Sequence, residues 1–386
     1  MRLITLFAMV LLTAGATGCR AGDSPASAAL SAQNATAKAG MPRITRVAGG
    51  LEHPWGLALL GDGRFLVTER PGRLRYVERD GRLSAPITGV PAVWAQGQGG
   101  LLDVALAPDF ATSHHVYLSY AEPGPNGTAG TAAGYGVLDG ARLVGFRVIY
   151  RQEPKLEGPN HFGSRIAFDR DGHVFISQGE RFQRMRAQDL GVLQGKLVRL
   201  TLDGAVPRDN PFVGRIDARP EIWSYGHRNV QSLAVDPRTG RLWEAEHGPR
   251  GGDEINLPQA GKNYGWPIAS HGKDYATPFP YPETKGTEVP GMESPYHVWM
   301  KSPGLSGMAF YTGRPGSAWN DSLLLGALAD RCLIRLQLDG DRIVSEQRLL
   351  EDRKLRIRDV RVAGDGAIYV LTDEDDGELL RIDPPR

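Results

Sequence analysis

The chain is short of cysteine, aromatic residues and net charge, and each shortage excludes something. Of 386 residues only two are cysteines, Cys19 and Cys332, so no disulfide framework holds the protein together. If Cys19 is modified or removed, Cys332 stands alone and the core must carry its own stability. Basic and acidic residues nearly cancel, leaving a net charge of +1 and no electrostatic case for nucleic acid. No amphipathic helix of ordinary length shows in the pattern. One long apolar run, residues 3–16, is too short to span a bilayer as a permanent helix.

That run has the look of an export signal, with Arg2 ahead of it and small residues after it. Residues 1–19 are expected to form the signal. Ala16-Thr17-Gly18-Cys19 resembles a lipoprotein site, which would place a lipid anchor on Cys19 and the protein on the outer membrane. The usual leucine three places before the cysteine is replaced by Ala16, so ordinary cleavage near Ala14 to Ala16 and a periplasmic product is the alternative. Residues 20–41 are rich in Ala, Ser and Gly and read as a flexible tether. Residues 42–386 are expected to form the catalytic domain.

What is abundant is turn chemistry: 49 glycines and 27 prolines. One pattern recurs six times, an apolar strand, a polar turn carrying Asp or Gly, and a second apolar strand. The paired segments are 55–60 with 65–69, 100–109 with 116–120, 165–173 with 174–180, 231–240 with 241–246, 305–311 with 322–327, and 358–366 with 367–373. Hairpins at long, irregular spacing with shared turn chemistry predict an all-β, six-bladed β-propeller. A large sandwich or two small β domains would carry similar hairpins without that shared chemistry. Residues 122–136 lack a period and read as a mobile loop extending a hairpin.

In a propeller the inner strands line a channel and the loops at one end converge over it. His161 enters just before the third inner strand, and Glu180 closes the strand that follows. A carboxylate on one ring nitrogen leaves the other free as a base. Arg228 and Asn229 open the fourth copy; the planar fork of Arg228 suits a carboxylate or quinone oxygen. His227 reads as structural. The Gly- and Pro-rich segment 247–256, with 263–267 after it, offers carbonyls and carboxylates of the kind a hard cation takes, though its spacing is not that of an EF-hand. Arg356 and Arg358 alternate onto one face and call for an anion or solvent.

Segments 96–109, 194–200, 221–229, 246–256, 302–303, 306–311, 356–360 and 369–374 closely resemble the soluble aldose sugar dehydrogenases, relatives of the soluble glucose dehydrogenase that uses pyrroloquinoline quinone (PQQ). The likeness covers essentially everything after the tether. It implies PQQ and Ca²⁺ as cofactors, with His161 as catalytic base, Glu180 orienting it, and Arg228 at the developing charge. Gln98, Arg228, Asn229, Arg356 and Arg358 match PQQ contacts. Gly248 and Pro249 match the turn whose carbonyls hold the cofactor-bound Ca²⁺, and Glu254 and Tyr264 match a further calcium site. The implied reaction oxidises an aldose at C1 to a lactone, with electrons passing on to an external acceptor. One position departs: the family's cofactor-contacting lysine is Ala329 here, and Arg331 is the candidate to compensate.

Two other readings of the same residues stand beside this one. A propeller lactonase would need a cage of acidic and amide ligands in the channel. A non-catalytic extracellular binding propeller, with Ala329 in its favour, would hold calcium without turnover. Residues 122–136 and 273–290 are the loops expected to select the sugar, and either a monomer or a dimer is compatible with the sequence.

Overall fold

Short apolar strands joined by Asp-Gly and Gly turns pair with their sequence neighbours, and six such antiparallel sheets close into a ring. The structure, a computed structural model, describes residues 42–313 and 315–385. The expected export signal over 1–19, the lipid-anchor cysteine Cys19 and the tether over 20–41 lie outside the described residues.

The first blade holds β2 (Pro54–Leu59), β3 (Phe65–Glu69) and β4 (Arg73–Val77), preceded in sequence by β1 (Arg43–Leu51). The second holds β5 (Leu101–Leu106), β6 (His115–Pro123), β7 (Ala129–Asp139) and β8 (Arg142–Arg151). The third holds β9 (Gly163–Phe168), β10 (His173–Gln178), β11 (Lys196–Thr201) and β12 (Ile222–Tyr225). β13 (Val230–Val235), β14 (Leu242–Glu246), β15 (Asp253–Asn256) and β16 (His297–Trp299) make the fourth. β17 (Leu305–Tyr311), β18 (Ser322–Ala327), β19 (Cys332–Asp339) and β20 (Arg342–Leu349) make the fifth. The sixth combines β21 (Ile357–Val362), β22 (Ile368–Thr372) and β23 (Gly377–Asp383) with β1, which pairs antiparallel to β23 as the outer strand. The first strand among the described residues therefore closes the last blade, and the predicted six-bladed propeller is what forms.

The core lies between blades. Leu66 and Leu74 of the first blade pack on Val104 and Leu118 of the second. Tyr117 packs on Ile166 and Val198 between the second and third, and Phe175 on Leu233 between the third and fourth. Trp243, Leu324 and Leu57 belong to the clusters that fill the remaining three interfaces. Cys332 is buried and free, so burial rather than cross-linking holds the blades together.

Residues 122–136 differ from the expected mobile loop. Only a short turn separates β6 from β7, and Tyr120 pairs with Ala132 within a long hairpin whose Ala129, Thr131, Ala132 and Ala133 are buried. Small residues covered on both faces give no period of two, which hid the strand.

Inner strands β2, β5, β9, β13, β17 and β21 lie side by side around the channel. The register pairs the start of each with the end of its blade's second strand, as in Pro54 with Glu69, Val230 with Glu246 and Ile357 with Thr372. One end of the channel thereby collects the residues that precede inner strands and those that close second strands.

Candidate active site

At that end a cavity of about 780 Å³ is lined by Gln98, Gly163, Asn229, Gln231, Gly248, Pro249, Ala329, Arg356, Arg358 and Asp373, with Trp55, Arg70 and Tyr275 among the other walls. Its floor is a buried charge network. Arg165 donates to Asp103 and to Asp359 (each 3.1 Å), to the carbonyl of Gln231 (2.9 Å) and to that of Arg358 (3.0 Å), with its guanidinium 4.0 Å from the Trp55 ring. Asp103 also accepts the Ile166 N–H and Asp359 the Leu57 N–H, so the network ties inner strands across the channel. Sequence reasoning missed it.

His161 sits in the left-handed region (φ 58°) just before β9, and its Nδ1 lies 2.5 Å from Glu180 Oε2. Gln98 Oε1 accepts the His161 backbone N–H at 2.8 Å, joining the 96–98 loop to this histidine. Burial lowers the imidazole's proton affinity, and the charges of Arg228 and Arg181 lower it further against the pull of Glu180. Burial would raise Glu180, but its contact with His161, the charge of Arg228 and the Phe182 N–H hold it below the usual carboxylate value. The pair is therefore a neutral imidazole beside a carboxylate, with Nδ1 held by Glu180 and Nε2 left for a substrate.

A chain of hydrogen bonds runs from Gly163, two residues after His161, along the cavity. Asn229 Oδ1 accepts the Gly163 N–H (3.1 Å) and the Gln231 amide (3.2 Å). Gln231 Oε1 accepts from Arg358 (3.1 Å), and Asp373 Oδ2 accepts from both Arg358 (2.6 Å) and Arg356 (3.2 Å). Burial would raise Asp373, but Arg358, Arg70 and Arg356 hold its carboxyl well below the ordinary range. Arg228 donates to the carbonyl of His247 (3.0 Å) and to the Tyr275 hydroxyl (3.2 Å). The backbone N–H groups of Arg228 and Asn229 both reach Glu246 Oε2.

Behind Gly248 and Pro249 a compartment of about 20 Å³ is lined by Arg228, Glu246, Glu254 and Tyr264. Asp253 shapes the turn by accepting the N–H groups of Gly248, Gly304 and Leu305. Glu244, Glu246 and Glu254 converge here with His227, and ligand atoms of His227, Glu244 and Glu246 lie within 4.8 Å of one another. Burial and the Glu246 charge push Glu244 up to about 7, and burial with Glu246 drives Glu254 well above the usual value. Burial works against the charge of His227, yet its bonds to Glu244 and Glu246 raise it to about 9. Tyr264 stacks on His227 at 5.0 Å, and its hydroxyl is committed to Leu257 and Gln259, which leaves only its backbone carbonyl for an ion.

A family model for glucose / sorbosone dehydrogenase matches residues 51–381. The chain belongs to the glucose/sorbosone dehydrogenase family. It is 54% identical over 337 residues to aldose sugar dehydrogenase YliI of Escherichia coli (strain K12), covering 86% of this chain and 91% of the relative. The crystal structure of the soluble aldose sugar dehydrogenase (Asd) from Escherichia coli, in its apo-form, has a TM-score of 0.87 at 52% identity, covering 89% of this chain and all of that one (100%). The PQQ-bound aldose sugar dehydrogenase (Adh) from Streptomyces coelicolor has a TM-score of 0.73 at 31% identity, covering 89% and 98%. Membership sets the chain among oxidoreductases, as its motifs implied.

Within this family frame, one expectation needs correction. Ala329 lines the cavity as predicted, but Arg331 does not replace the missing lysine: its Nη1 donates to the carbonyl of Lys354 at 3.1 Å, outside the cavity wall. Its backbone stands in the left-handed region (φ 55°) at the β18–β19 turn, which aims it away. Arg70, overlooked in the sequence, lines the cavity and donates to the carbonyl of Gly97 at 2.6 Å. Its place after β3 matches the blade ends that supply Glu180, Glu246 and Asp373, a signal that the repeat contained.

Proposed function

We propose that the protein oxidises aldose sugars at C1 to lactones, using PQQ and Ca²⁺, with His161 as general base. The observation that carries this reading is a Glu180-held imidazole, bonded through its backbone N–H to Gln98, beside a cavity that Gln98 lines together with Arg70, Arg356 and Arg358. Arg70, Arg356 and Arg358 offer planar donors to a carboxylated, flat anion, and Asn229 and Gln98 offer amides. Arg358 and Arg70 each keep a buried Nε–H without a hydrogen-bond partner, so these donors suit an anionic cofactor. The carbonyls of Gly248 and Pro249 and the carboxylates of Glu246 and Glu254 suit a hard cation, and Glu244 Oε2 and Asn256 Oδ1 are buried acceptors without donors.

Bound quinone supplies a two-electron sink that passes its electrons to an external acceptor. The protein's part is position and field. Glu180 fixes the tautomer of His161, so that Nε2 can take the C1 hydroxyl proton. Arg228, clamped between His247 and Tyr275, presents positive charge beside the base and disfavours its premature protonation. A metal-dependent hydrolase would instead need free acidic ligands in the channel, where Asp373 is held by Arg356 and Arg358 and both Asp103 and Asp359 by Arg165. In the direct test, apo-protein is mixed with PQQ and Ca²⁺ and dye reduction is followed on an aldose panel. Reduction that needs both additions and is lost in His161→Ala supports the reading; quinone-independent lactone hydrolysis overturns it.

A further inference from the structure

Next to the base is an aromatic ring that the fold does not use. Phe182 is 47% exposed, and its ring lies 4.6 Å from that of His161 at 39°. Its backbone is left-handed (φ 61°), as is that of Arg181 before it (φ 59°). Two consecutive non-glycine residues in that region are strained, and a bulky exposed one gains nothing in return from burial. The surroundings enforce the conformation. The buried guanidinium of Arg181 stacks 3.7 Å from the Phe162 ring and donates to the carbonyls of Leu156, Gly158 and Asn160, the segment leading into His161. The Phe182 N–H donates to Glu180 Oε2 at 3.0 Å, the oxygen that also holds the imidazole. One turn thus fixes the base, its carboxylate and an outward-facing ring as a unit.

We propose that Phe182 is the sugar-stacking residue of this enzyme and sets its preference for pyranoses. This rests on the aldose-oxidising reading. A pyranose presents an apolar C–H face, while its hydroxyls radiate from the edge. A flat ring beside the base takes that face and leaves the C1 hydroxyl free for Nε2. The stacking acts equally in the ground and transition states, so it governs KM rather than kcat.

D-Glucose is the probe in two measurements. Saturation-transfer NMR on the apo-protein, irradiating aromatic protons, is expected to show transfer to the sugar's C–H protons, lost in Phe182→Ala and kept in Phe182→Trp. Steady-state kinetics of the holoenzyme are expected to show KM for glucose raised about five- to tenfold in Phe182→Ala, with kcat falling less than about twofold, and restored by Trp. Unchanged transfer in Phe182→Ala, a fall in kcat at constant KM, or a raised KM for the dye alone overturns the assignment. If the wild type oxidises no aldose, the proposed function fails and the NMR result alone decides Phe182.

Discussion

His161 is poised by its burial and three neighbours: burial foremost, with Arg228 and Arg181, keeps it unprotonated, while Glu180 orients it. Because its proton affinity is lowered from the ordinary 6.5, the base form persists through neutral pH, and activity is lost only as pH falls below that value. Arg181→Met removes one opposing charge, so the acid limb of kcat/KM against pH is expected to move to higher pH; an unmoved limb contradicts this account of the electrostatics. Asp373 carries a second prediction. It neutralises two arginines, and removing one member of a buried pair costs about 3–5 kcal/mol. Asp373→Ala is expected to lower the unfolding free energy by that order in urea titration and to weaken quinone binding. The contribution of its depressed carboxyl is full above the ordinary carboxylate value and is lost as pH falls toward its own.

At the level of strands, one position in each inner strand decides what fills the channel. Gly56, Asp103, Arg165, Ser232, Gly307 and Asp359 all stand immediately before an apolar residue, and all but Asp359 are followed two places on by alanine. Three carry the Arg165 network, and the others are small because neighbouring strands crowd them. A Cβ on Gly307 would lie 2.6 Å from the Cα of Asp359, and one on Gly56 would lie 2.8 Å from the backbone nitrogen of Val104. Gly307→Val is expected to cost about 1–3 kcal/mol or more, read as a lower Tm by calorimetry. The blade count, the inner strands and the His161, Arg228 and Arg356–Arg358 loops were legible because turn residues and alternation are local signals. The charged plug was not, since its members are far apart in sequence and each reads as an ordinary strand residue until the repeats are aligned. Of the Glu244–Glu246–Glu254 cluster only Glu254 was named, through the resemblance; alternation along β14 puts Glu244 and Glu246 on one face, and β15 beside it brings Glu254 there.

Across the whole ring, closure depends on β1. Its pairing with β23 joins residues 43–51 to the last blade, and Leu51 and Ala48 pack into the interface between the sixth blade and the first. Deleting residues 43–51 is expected to expose the edge of β23 and lower Tm sharply, rather than to trim a dispensable end. Calcium is expected to act globally as well. An ion held at Glu246 and Glu254 would bind the native state alone, so saturation at about 100 times Kd would add about 2.7 kcal/mol. Chelator should lower Tm in the wild type and have little effect in a Glu246→Gln, Glu254→Gln double variant. The most direct test of the central claim is aldose-dependent dye reduction by apo-protein titrated with PQQ in excess Ca²⁺. Saturable activity that rises with PQQ and vanishes in His161→Ala is the predicted result; no PQQ-dependent reduction with any aldose would contradict it.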